Sequence, residues 1–420
     1  MMKASKLYLI AILIIFSALS QAQDISTSNS EDIGISSDRI SVIDRVLQEY
    51  IDKMEVPGAV ALIARRGKIG YLKSFGMKDI EENRPMTNDA IFRIASMTKA
   101  ITTVGVMMLY EEGHFKLDDP VSNFIPEFKN MKTVSGENVQ QEITIRHLLT
   151  HTSGLSIDFV GPQQTYDLYT QNNIYGGFGR SKGTIGETIK RLASLPLIHQ
   201  PGEKFQYGMS ADVLGFLIEV ISGMTLEDFF QRNIFEPLDM TDTHFFLPKS
   251  KVKRMAVLYG MDSTNHLIKI VGEAKKGFLN YSDYETYASN PNYFSGGGGL
   301  LSTTADYYNF LTMLLDKGKY KNKQIISRKT VELMTSNQTG DMFNWWKGEV
   351  FGFGFAISKG PSETGTIESA GTYRWLGLFN TYFWVDPKEQ LIGILLTQIQ
   401  PNTSDIDRKF KTLSYQAIQD

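Results

Sequence analysis

The sequence predicts an α+β fold: an antiparallel sheet built from both chain ends, flanked by helices and carrying an inserted, mainly helical lobe. Two observations predict this architecture. Short apolar or alternating runs bounded by turn residues, which are typical of strands, occur near residues 59–75 and again between residues 351 and 397. Residues 94–299, between them, combine helical periodicity with loops. Because a strand needs partners to bury its apolar face, we expect the two groups of strands to share one sheet.

The N-terminal residues have the features of a transport signal. Lys3 and Lys6 flank the start of an apolar run, residues 7–19, that is too short to span a membrane, and small residues occupy the cleavage positions before Gln23. We therefore expect residues 1–22 to be a signal peptide. The mature protein would then be exported, periplasmic or secreted, without a stable membrane anchor. The alternative is an anchor helix that is not cleaved.

The remaining elements follow in order along the chain. Residues 23–37 are polar and rich in serine, and we expect a flexible N-terminus there. Ser37 then caps a helical pattern that continues to Ile51. The other predicted helices cover residues 94–112, 145–149, 185–195, 211–222, 226–234, 303–315 and 405–418. The predicted strands cover residues 59–64, 69–75, 351–357, 366–370, 376–384 and 391–397, with a hairpin turn at 386–389. The predicted domain, 38–420, comprises an α/β lobe, about 38–93 and 300–420, and a helical lobe, about 94–299.

Composition limits the classes of function. The chain has 420 residues, of which 42% are hydrophobic and 21% are charged, as in ordinary globular proteins with a sizeable core. The formal net charge is −3 and no basic block is present, which argues against nucleic acid as a partner. The chain contains no cysteine, so a disulfide, a thiol nucleophile and a thiolate metal site are all excluded.

The most informative motif is Ser96-Met97-Thr98-Lys99, at the start of the long predicted helix. A serine hydroxyl is a weak nucleophile until a base takes its proton. A lysine three positions later lies on the same helical face, so its amine can reach that hydroxyl. Apolar neighbours such as Ile94 would bury the amine, and burial favours its uncharged form. The motif therefore provides both a nucleophile and a general base.

Several other patterns suggest catalytic or metal sites, and their context argues against each. The second Ser-x-x-Lys pattern begins at Ser250, in a charged run with no apolar residues to bury its lysine. Ser181 fits Gly-x-Ser-x-Gly, but the residues before it do not form the buried strand which that hydrolase motif requires. The Tyr-x-Asn pattern at Tyr307 lies within an amphipathic helix. His147 and His151 are spaced like zinc ligands without the glutamate of that motif, so we expect structural histidines and no metal. A Ser-His-Asp triad stays an alternative, although no histidine has its signature.

A second proton shuttle is expected at Tyr207, which follows the turn at residues 200–203 and precedes a helix. This junction would hold a phenol rigidly, and a phenol close to ammonium groups can act as a general base and then as a general acid. The alternative is a tyrosine that packs in the core with its hydroxyl hydrogen-bonded.

In combination, these motifs resemble those of a known family. Over about residues 40–415 the chain resembles the serine β-lactamase and penicillin-recognising superfamily, in particular class C β-lactamases and, most closely, family VIII carboxylesterases. The matching segments occur in the expected order: residues 92–99, 147–155, Tyr207 with 212–215, 297–303 and 382–387. The resemblance implies a β-lactamase-like fold and hydrolysis through an acyl-enzyme, with no cofactor.

The resemblance also implies roles for individual residues. Ser96 would be the acyl-accepting nucleophile, Lys99 the general base, and Tyr207 the residue that passes a proton to the leaving group. In the family, Tyr207 begins a Tyr-x-Asn motif, but the third position of that motif is Met209 here. The substrate-binding position at Met209 therefore lacks an amide that helps to position a substrate amide group.

The third motif of the family, normally Lys-Thr-Gly, falls on Trp375-Leu376-Gly377, and these residues would contact the substrate. The oxyanion hole would comprise the backbone N–H groups of Ser96 and Leu378. Trp375 replaces the cation that helps to bind a substrate carboxylate, and it offers apolar surface and one N–H donor instead. The adjacent Arg374 points to the other face of the strand, so we do not expect it to replace the lysine.

Both departures favour an uncharged ester over a β-lactam or a D-Ala-D-Ala peptide. We therefore expect a serine hydrolase acting on small-molecule esters or amides, with carboxylic esters as the first expectation. The alternatives are a β-lactamase or D-alanyl-D-alanine carboxypeptidase-type peptidase and, from another class, a catalytically idle binding or sensing module. The intact Ser96, Lys99 and Tyr207 argue against the idle module.

Overall fold

The computed structural model describes residues 27–157, 159–276 and 279–420, so the predicted signal peptide, 1–22, lies outside the described residues. The strands of the described residues are β1 (Gly58–Arg65), β2 (Lys68–Asp79), β3 (Arg84–Pro85), β4 (Phe92–Arg93), β5 (Tyr259–Met261), β6 (Leu267–Lys269), β7 (Glu273–Lys276), β8 (Leu279–Ser282), β9 (Leu301–Ser302), β10 (Lys319–Tyr320), β11 (Lys323–Gln324), β12 (Glu349–Phe351), β13 (Ala356–Ser358), β14 (Tyr373–Gly377), β15 (Thr381–Asp386) and β16 (Leu391–Thr397).

The helices are α1 (Ser37–Asp52), α2 (Thr98–Glu111), α3 (Ile145–Leu149), α4 (Gln163–Gln171), α5 (Ile185–Leu192), α6 (Ser210–Ser222), α7 (Leu226–Phe230), α8 (Tyr284–Tyr287), α9 (Thr304–Leu315), α10 (Arg328–Met334), α11 (Pro361–Thr364) and α12 (Ile406–Gln416). Single turns of 3-10 helix cover Ser30–Ile33, Ala95–Met97, Val121–Asn123, Pro126–Phe128 and Val252–Arg254, and a π-helical turn covers Gln231–Phe235. Within the described part of the chain, none of these helices is long and apolar enough to cross a membrane.

Among the residues that the structure describes, the central sheet contains eight strands in the order β12-β13-β14-β15-β16-β1-β2-β3, and each pairing in it is antiparallel. The N-terminal hairpin joins the C-terminal strands through β1 and β16, which pair from Ala59 opposite Thr397 to Arg65 opposite Leu391. This pairing confirms the predicted fold class, in which strands from both chain ends form one antiparallel sheet.

Successive side chains of β1 point to opposite faces of the sheet, and a hydrophobic core lies on each face. Val60 and Leu62 belong to the larger core, which continues into the helices of the inserted region. Ala61 and Ile63 belong to a second core that contains residues of α1 and α12. All eight residues of β1 are buried because both faces of the strand are covered. The terminal helices and the inserted region therefore lie on opposite faces of one sheet.

The stretch predicted to be flexible, 23–37, is packed in its described part. Residues 30–33 form a 3-10 turn, and Ser36 caps α1 by accepting a hydrogen bond from a backbone N–H, one residue earlier than the predicted cap. Ile33 and Ile35 are the physical reason, because both are fully buried in the core beneath α1 and α12. The expectation of flexibility is therefore wrong for residues 30–36, where two isoleucines within a polar run anchor the chain.

The C-terminal strands differ from the prediction in three places. The predicted strand 351–357 is two strands, β12 and β13, that pair as a hairpin. The predicted strand 376–384 crosses the turn between β14 and β15 at Asn380, whose φ is 61°. Residues 366–370 form no strand, and β14 begins later. In the first two places apolar residues continue through a tight turn, such as the one at Gly354, so hydrophobicity alone does not reveal where the chain reverses.

Gly393 provides a test of how tightly this sheet is packed. It lies on β16 opposite Trp384 of β15, and a Cβ there would lie 2.1 Å from two indole carbons. Trp384 is fully buried against Phe410 and Tyr415 of α12, so the indole has no room to move. We predict that Gly393→Ala lowers the free energy of unfolding in urea by about 1–3 kcal/mol. In the control Gly179→Ala the new Cβ would meet no atom closer than 3.6 Å, and equal stability of the two variants would contradict the prediction.

Candidate active site

Ser96 lies in the 3-10 turn between β4 and α2, and it is 6% exposed. The preceding Ala95 has a φ of 45°, a left-handed conformation that costs an L-residue roughly 1–2 kcal/mol. Ile94, the residue before Ala95, is anchored to β15 because its carbonyl accepts a hydrogen bond of 3.2 Å from Thr381 Oγ1. Ser96 is therefore presented by a strained, anchored turn at the start of α2 and lies just outside the helix itself.

Lys99 lies in the first turn of α2 and is 3% exposed. Its Nζ lies 3.3 Å from Ser96 Oγ and donates a hydrogen bond of 2.6 Å to the carbonyl of Gly297. The same nitrogen lies 4.6 Å from the centroid of the Tyr207 ring. The amine is thus removed from solvent, as the sequence predicts, and it is held by one side-chain oxygen and one backbone oxygen.

Tyr207 precedes α6 and contacts Ser96 through its hydroxyl. Its side chain is 5% exposed, and its hydroxyl donates a hydrogen bond of 2.7 Å to Ser96 Oγ. The structure therefore brings Ser96, Lys99 and Tyr207 together, although Tyr207 is more than one hundred residues away in the chain. An amine and a phenol converge on one hydroxyl, which is the arrangement needed to move a proton away from a nucleophile and back.

A buried carboxylate supports Lys99 through the backbone of Gly297. Asp212 of α6 accepts hydrogen bonds of 2.6 Å from Ser295 Oγ and 3.2 Å from the N–H of Gly297. Burial raises the pKa of Asp212, while the charge of Lys99 and these hydrogen bonds act in the opposite direction. A Cβ at Gly297 would lie 2.3 Å from the carboxylate, so this close approach requires glycine.

His151 packs against the Tyr207 ring, with 4.9 Å between the ring centroids. Phe205 and Phe351 each lie 5.8 Å from it on other sides. Burial, and secondarily the charge of Lys99, lowers the pKa of His151 to about 3. The imidazole is therefore uncharged at neutral pH. Its Nδ1 has no hydrogen-bond partner among the residues that the structure describes.

The third predicted motif lies on β14, beside the turn that carries Ser96. A Cβ at Gly377 would lie 2.3 Å from the carbonyl oxygen of Ile94, so the strand approaches this turn closely because residue 377 has no side chain. The Trp375 side chain faces the site, with its ring 5.8 Å from that of Tyr207. Leu378 directly follows Gly377, and its part in an oxyanion hole stays a prediction.

Two other predicted substrate contacts need comment. The Leu376 side chain points to the opposite face of β14, where it lines a cavity of about 460 Å³ together with Arg374. It can reach a substrate near Ser96 only through its backbone, because strand residues alternate between faces. Arg374 is bound by Glu349 at 2.9 Å, in agreement with the expectation that it does not replace a lysine in the site. Met209 is fully buried at the N-terminus of α6, where its thioether packs in the core.

The other candidate residues have structural explanations. Ser181 lies in a loop without a preceding strand, and Ser250 is exposed in a turn. Tyr307 lies within α9 and donates a hydrogen bond of 3.0 Å to the carbonyl of Met97. His147 accepts a hydrogen bond from a backbone N–H in the capping box of α3. Within the described ranges, no group of histidine, aspartate and glutamate side chains could hold a metal ion.

Sequence reasoning missed the residues that support Lys99 and Tyr207. The sequence motifs identify Asp212 and the glycine run only as family landmarks, and they predict a purely structural role for His151. One signal could have found Asp212: it is the sole charged residue in the otherwise apolar stretch 207–218. A buried charge needs partners, so such a residue marks a polar network. Ser295 offers no comparable signal, because serine is common in loops.

Comparison with known proteins gives consistent results. The family model of the β-lactamases matches residues 43–416. Esterase EstB of Burkholderia gladioli is 30% identical over 364 residues, which cover 84% of this chain and 89% of EstB. ML-236A carboxylate methylbutanoyltransferase mlcH of Penicillium citrinum is 26% identical over 90% of this chain and 95% of its own. The solved structure of EstCE1, a hydrolase with promiscuous acyltransferase activity, has a TM-score of 0.80 and 27% identity over 91% of this chain and 98% of EstCE1. These matches confirm the resemblance and the fold class predicted from the sequence.

The lowered pKa of His151 leads to a prediction about how the free energy of unfolding depends on pH. Because its pKa falls from 6.5 to about 3 on folding, the unfolded chain binds a proton below pH 6.5 that the folded protein does not. Stability from this group is therefore present above pH 6.5 and is lost as the pH falls, by about 1.4 kcal/mol per pH unit. We predict that His151→Asn reduces this loss between pH 6 and pH 4, measured by urea unfolding. Asparagine tolerates the φ of 54° at this position.

The matched control is His266→Asn, at an exposed histidine. It should leave the pH dependence of the free energy of unfolding close to that of the wild type. The same slope in wild type and His151→Asn would contradict the account of a buried, uncharged imidazole.

Proposed function

This chain belongs to the β-lactamase family, and from that premise we propose that it is a serine hydrolase that cleaves carboxylic esters through an acyl-enzyme. The observation that carries the proposal is the convergence of two groups on Ser96 Oγ. The Lys99 amine lies at 3.3 Å and the Tyr207 hydroxyl at 2.7 Å, and all three side chains are almost fully buried. The proposal assigns a role in proton transfer to each group.

In the proposed acylation step, Ser96 Oγ attacks the carbonyl carbon of the ester while its proton passes to the uncharged amine of Lys99. The Lys99 Nζ atom lies 3.3 Å from Ser96 Oγ, within reach for this transfer. The carbonyl oxygen becomes an oxyanion that accepts hydrogen bonds from the backbone N–H groups of Ser96 and Leu378. Tyr207 then donates a proton to the alcohol oxygen as the carbon–oxygen bond breaks and takes up the proton that Lys99 received. The acyl group stays on Ser96, with Lys99 uncharged and Tyr207 protonated.

In the proposed deacylation step, water attacks the acyl carbon and the same groups act in reverse. The water gives up a proton to the Lys99 amine, and Ser96 Oγ recovers a proton from Tyr207 as the carboxylic acid leaves. The proton on Lys99 then returns to Tyr207. The hydroxyl hydrogen bond from Tyr207 to Ser96 supports this return path, since it already joins the two oxygens. The names of EstB and EstCE1, an esterase and a hydrolase, agree with turnover by water.

An uncharged ester fits the third motif better than a β-lactam or a D-peptide does. Trp375 presents an apolar ring where the family's β-lactamases and peptidases present a cation. The neighbouring cation Arg374 is paired with Glu349 at 2.9 Å on the other side of β14, so it offers no substitute charge. The proposed substrate is therefore an ester without a carboxylate next to the scissile bond. We also propose that the protein is exported, on the basis of residues 1–22.

An activity screen tests the proposed function. We predict that the wild type hydrolyses short-chain acyl esters and does not hydrolyse nitrocefin or a D-Ala-D-Ala peptide. Ser96→Ala should abolish ester turnover and labelling by a fluorophosphonate, because the acyl acceptor is gone. Mass spectrometry of the labelled wild type should find the label on Ser96.

The matched control is Ser181→Ala, which removes the other candidate nucleophile and should keep full activity. Turnover of nitrocefin or the D-peptide in preference to esters would support the alternative, a β-lactamase or a D-alanyl-D-alanine carboxypeptidase-type peptidase. A wild type without any label would support the idle binding module, and a label on Ser181 would overturn the assignment of Ser96.

A further inference from the structure

A continuous group of aromatic side chains lies beside Tyr207. This group, called the aromatic wall below, consists of Phe205, Phe343, Trp345, Trp346, Phe351 and Trp375. Neighbouring ring centroids within it are 4.9 to 6.3 Å apart. Edge-to-face and tilted contacts predominate, which is how aromatic rings pack in a stable core. The wall therefore gives one side of the site a fixed, apolar surface.

Trp345 differs from the rest of the aromatic wall because much of its indole is exposed. Its exposed fraction is 41%, whereas Trp375 and Phe351 are 2% and 1% exposed. A single exposed apolar residue on a protein surface needs no explanation. The neighbours of Trp345 distinguish it: its ring lies 5.1 Å from that of Tyr207 and is stacked on Trp375, at 6.3 Å with a 17° angle between the planes. The exposed indole surface therefore adjoins the side chains of the site.

We propose that Trp345 binds a flat, apolar ring in the alcohol part of the ester, an inference that rests on the proposed function. A planar ring laid against an indole gains both apolar burial and favourable stacking. The preferred substrates are then esters of benzyl-type alcohols, and Trp345 is a residue that determines specificity.

The position of Tyr207 assigns Trp345 to the alcohol side of the substrate. In the proposed reaction the leaving oxygen must come within hydrogen-bond distance of the Tyr207 hydroxyl to receive its proton. A group attached to that oxygen then lies close to the Tyr207 side chain. The Lys99 Nζ atom lies 4.6 Å from the centroid of the Tyr207 ring, and the centroid of the His151 ring lies 4.9 Å from it. These two side chains therefore already pack against part of the ring. Trp345, at 5.1 Å, is the exposed neighbour that a group attached to the leaving oxygen can reach.

The test compares three acetates that share one acyl group. Benzyl acetate carries a planar ring, cyclohexylmethyl acetate carries a saturated ring of similar size, and methyl acetate carries no ring. We expect the wild-type kcat/KM for benzyl acetate to exceed that for cyclohexylmethyl acetate by about two- to tenfold, the range of one stacking contact. Trp345→Ala should bring this ratio near one, while Trp345→Phe should keep most of the preference.

Met54→Ala is the control, since Met54 is 46% exposed and follows α1, outside the aromatic wall. It should leave the ratio unchanged, and thermal unfolding should show that each variant is folded. This inference alone would be overturned if the wild type hydrolyses all three acetates and its ratio of kcat/KM for benzyl acetate to that for cyclohexylmethyl acetate is near one. It would also be overturned if Trp345→Ala leaves that ratio unchanged. Failure of the wild type to hydrolyse any of the three would contradict the proposed function and this inference with it.

Discussion

The burial of the Lys99 amine is the constraint on which the rest of the site depends. An amine that is 3% exposed needs hydrogen-bond acceptors, and the structure supplies Ser96 Oγ and the carbonyl of Gly297. Gly297 is held in turn by the carboxylate of Asp212, which α6 carries into the interior. Because Lys99 Nζ lies 3.3 Å from Ser96 Oγ, the contacts that satisfy the amine also hold it where a proton from Ser96 can reach it.

The fold explains how these groups come to meet. The sheet built from both chain ends brings β14 against the turn that carries Ser96, and Gly377 allows this contact by lacking a side chain. The inserted region contributes α6, which begins just after Tyr207 and carries Asp212. The two regions therefore meet at Ser96, and neither could form the site alone. A change that separates them should disturb proton transfer before it disturbs the core of the sheet.

Much of this arrangement was predictable because its patterns are local. The hairpin β1–β2, the strand β16 and the end of α2 follow from apolar periodicity and turn residues, and the Ser-x-x-Lys spacing predicts the contact between Ser96 and Lys99. The predicted helix 94–112 begins too early, because the turn that carries Ser96 precedes α2. The chain reversals after Gly377 and at Gly354 were missed, because apolar residues continue through them. Asp212 was missed as a functional residue because its role depends on a backbone segment some eighty residues away. Local patterns thus identify the elements and can mark a buried charge such as Asp212, whereas the partners of that charge are seen only in three dimensions.

Replacement of the amine of Lys99 tests the central claim most directly. The chain contains no cysteine, so Lys99→Cys provides a single thiol. Alkylation with 2-bromoethylamine in denaturant, followed by refolding, restores an amine at nearly the reach of lysine, whereas iodoacetamide gives an uncharged amide of similar length. The account predicts that untreated Lys99→Cys loses ester hydrolysis by about 100-fold or more and that only the aminoethylated protein recovers it. Full activity of the untreated variant would contradict the account. Equal recovery of activity after treatment with iodoacetamide would also contradict it, provided that mass spectrometry shows complete modification of the thiol.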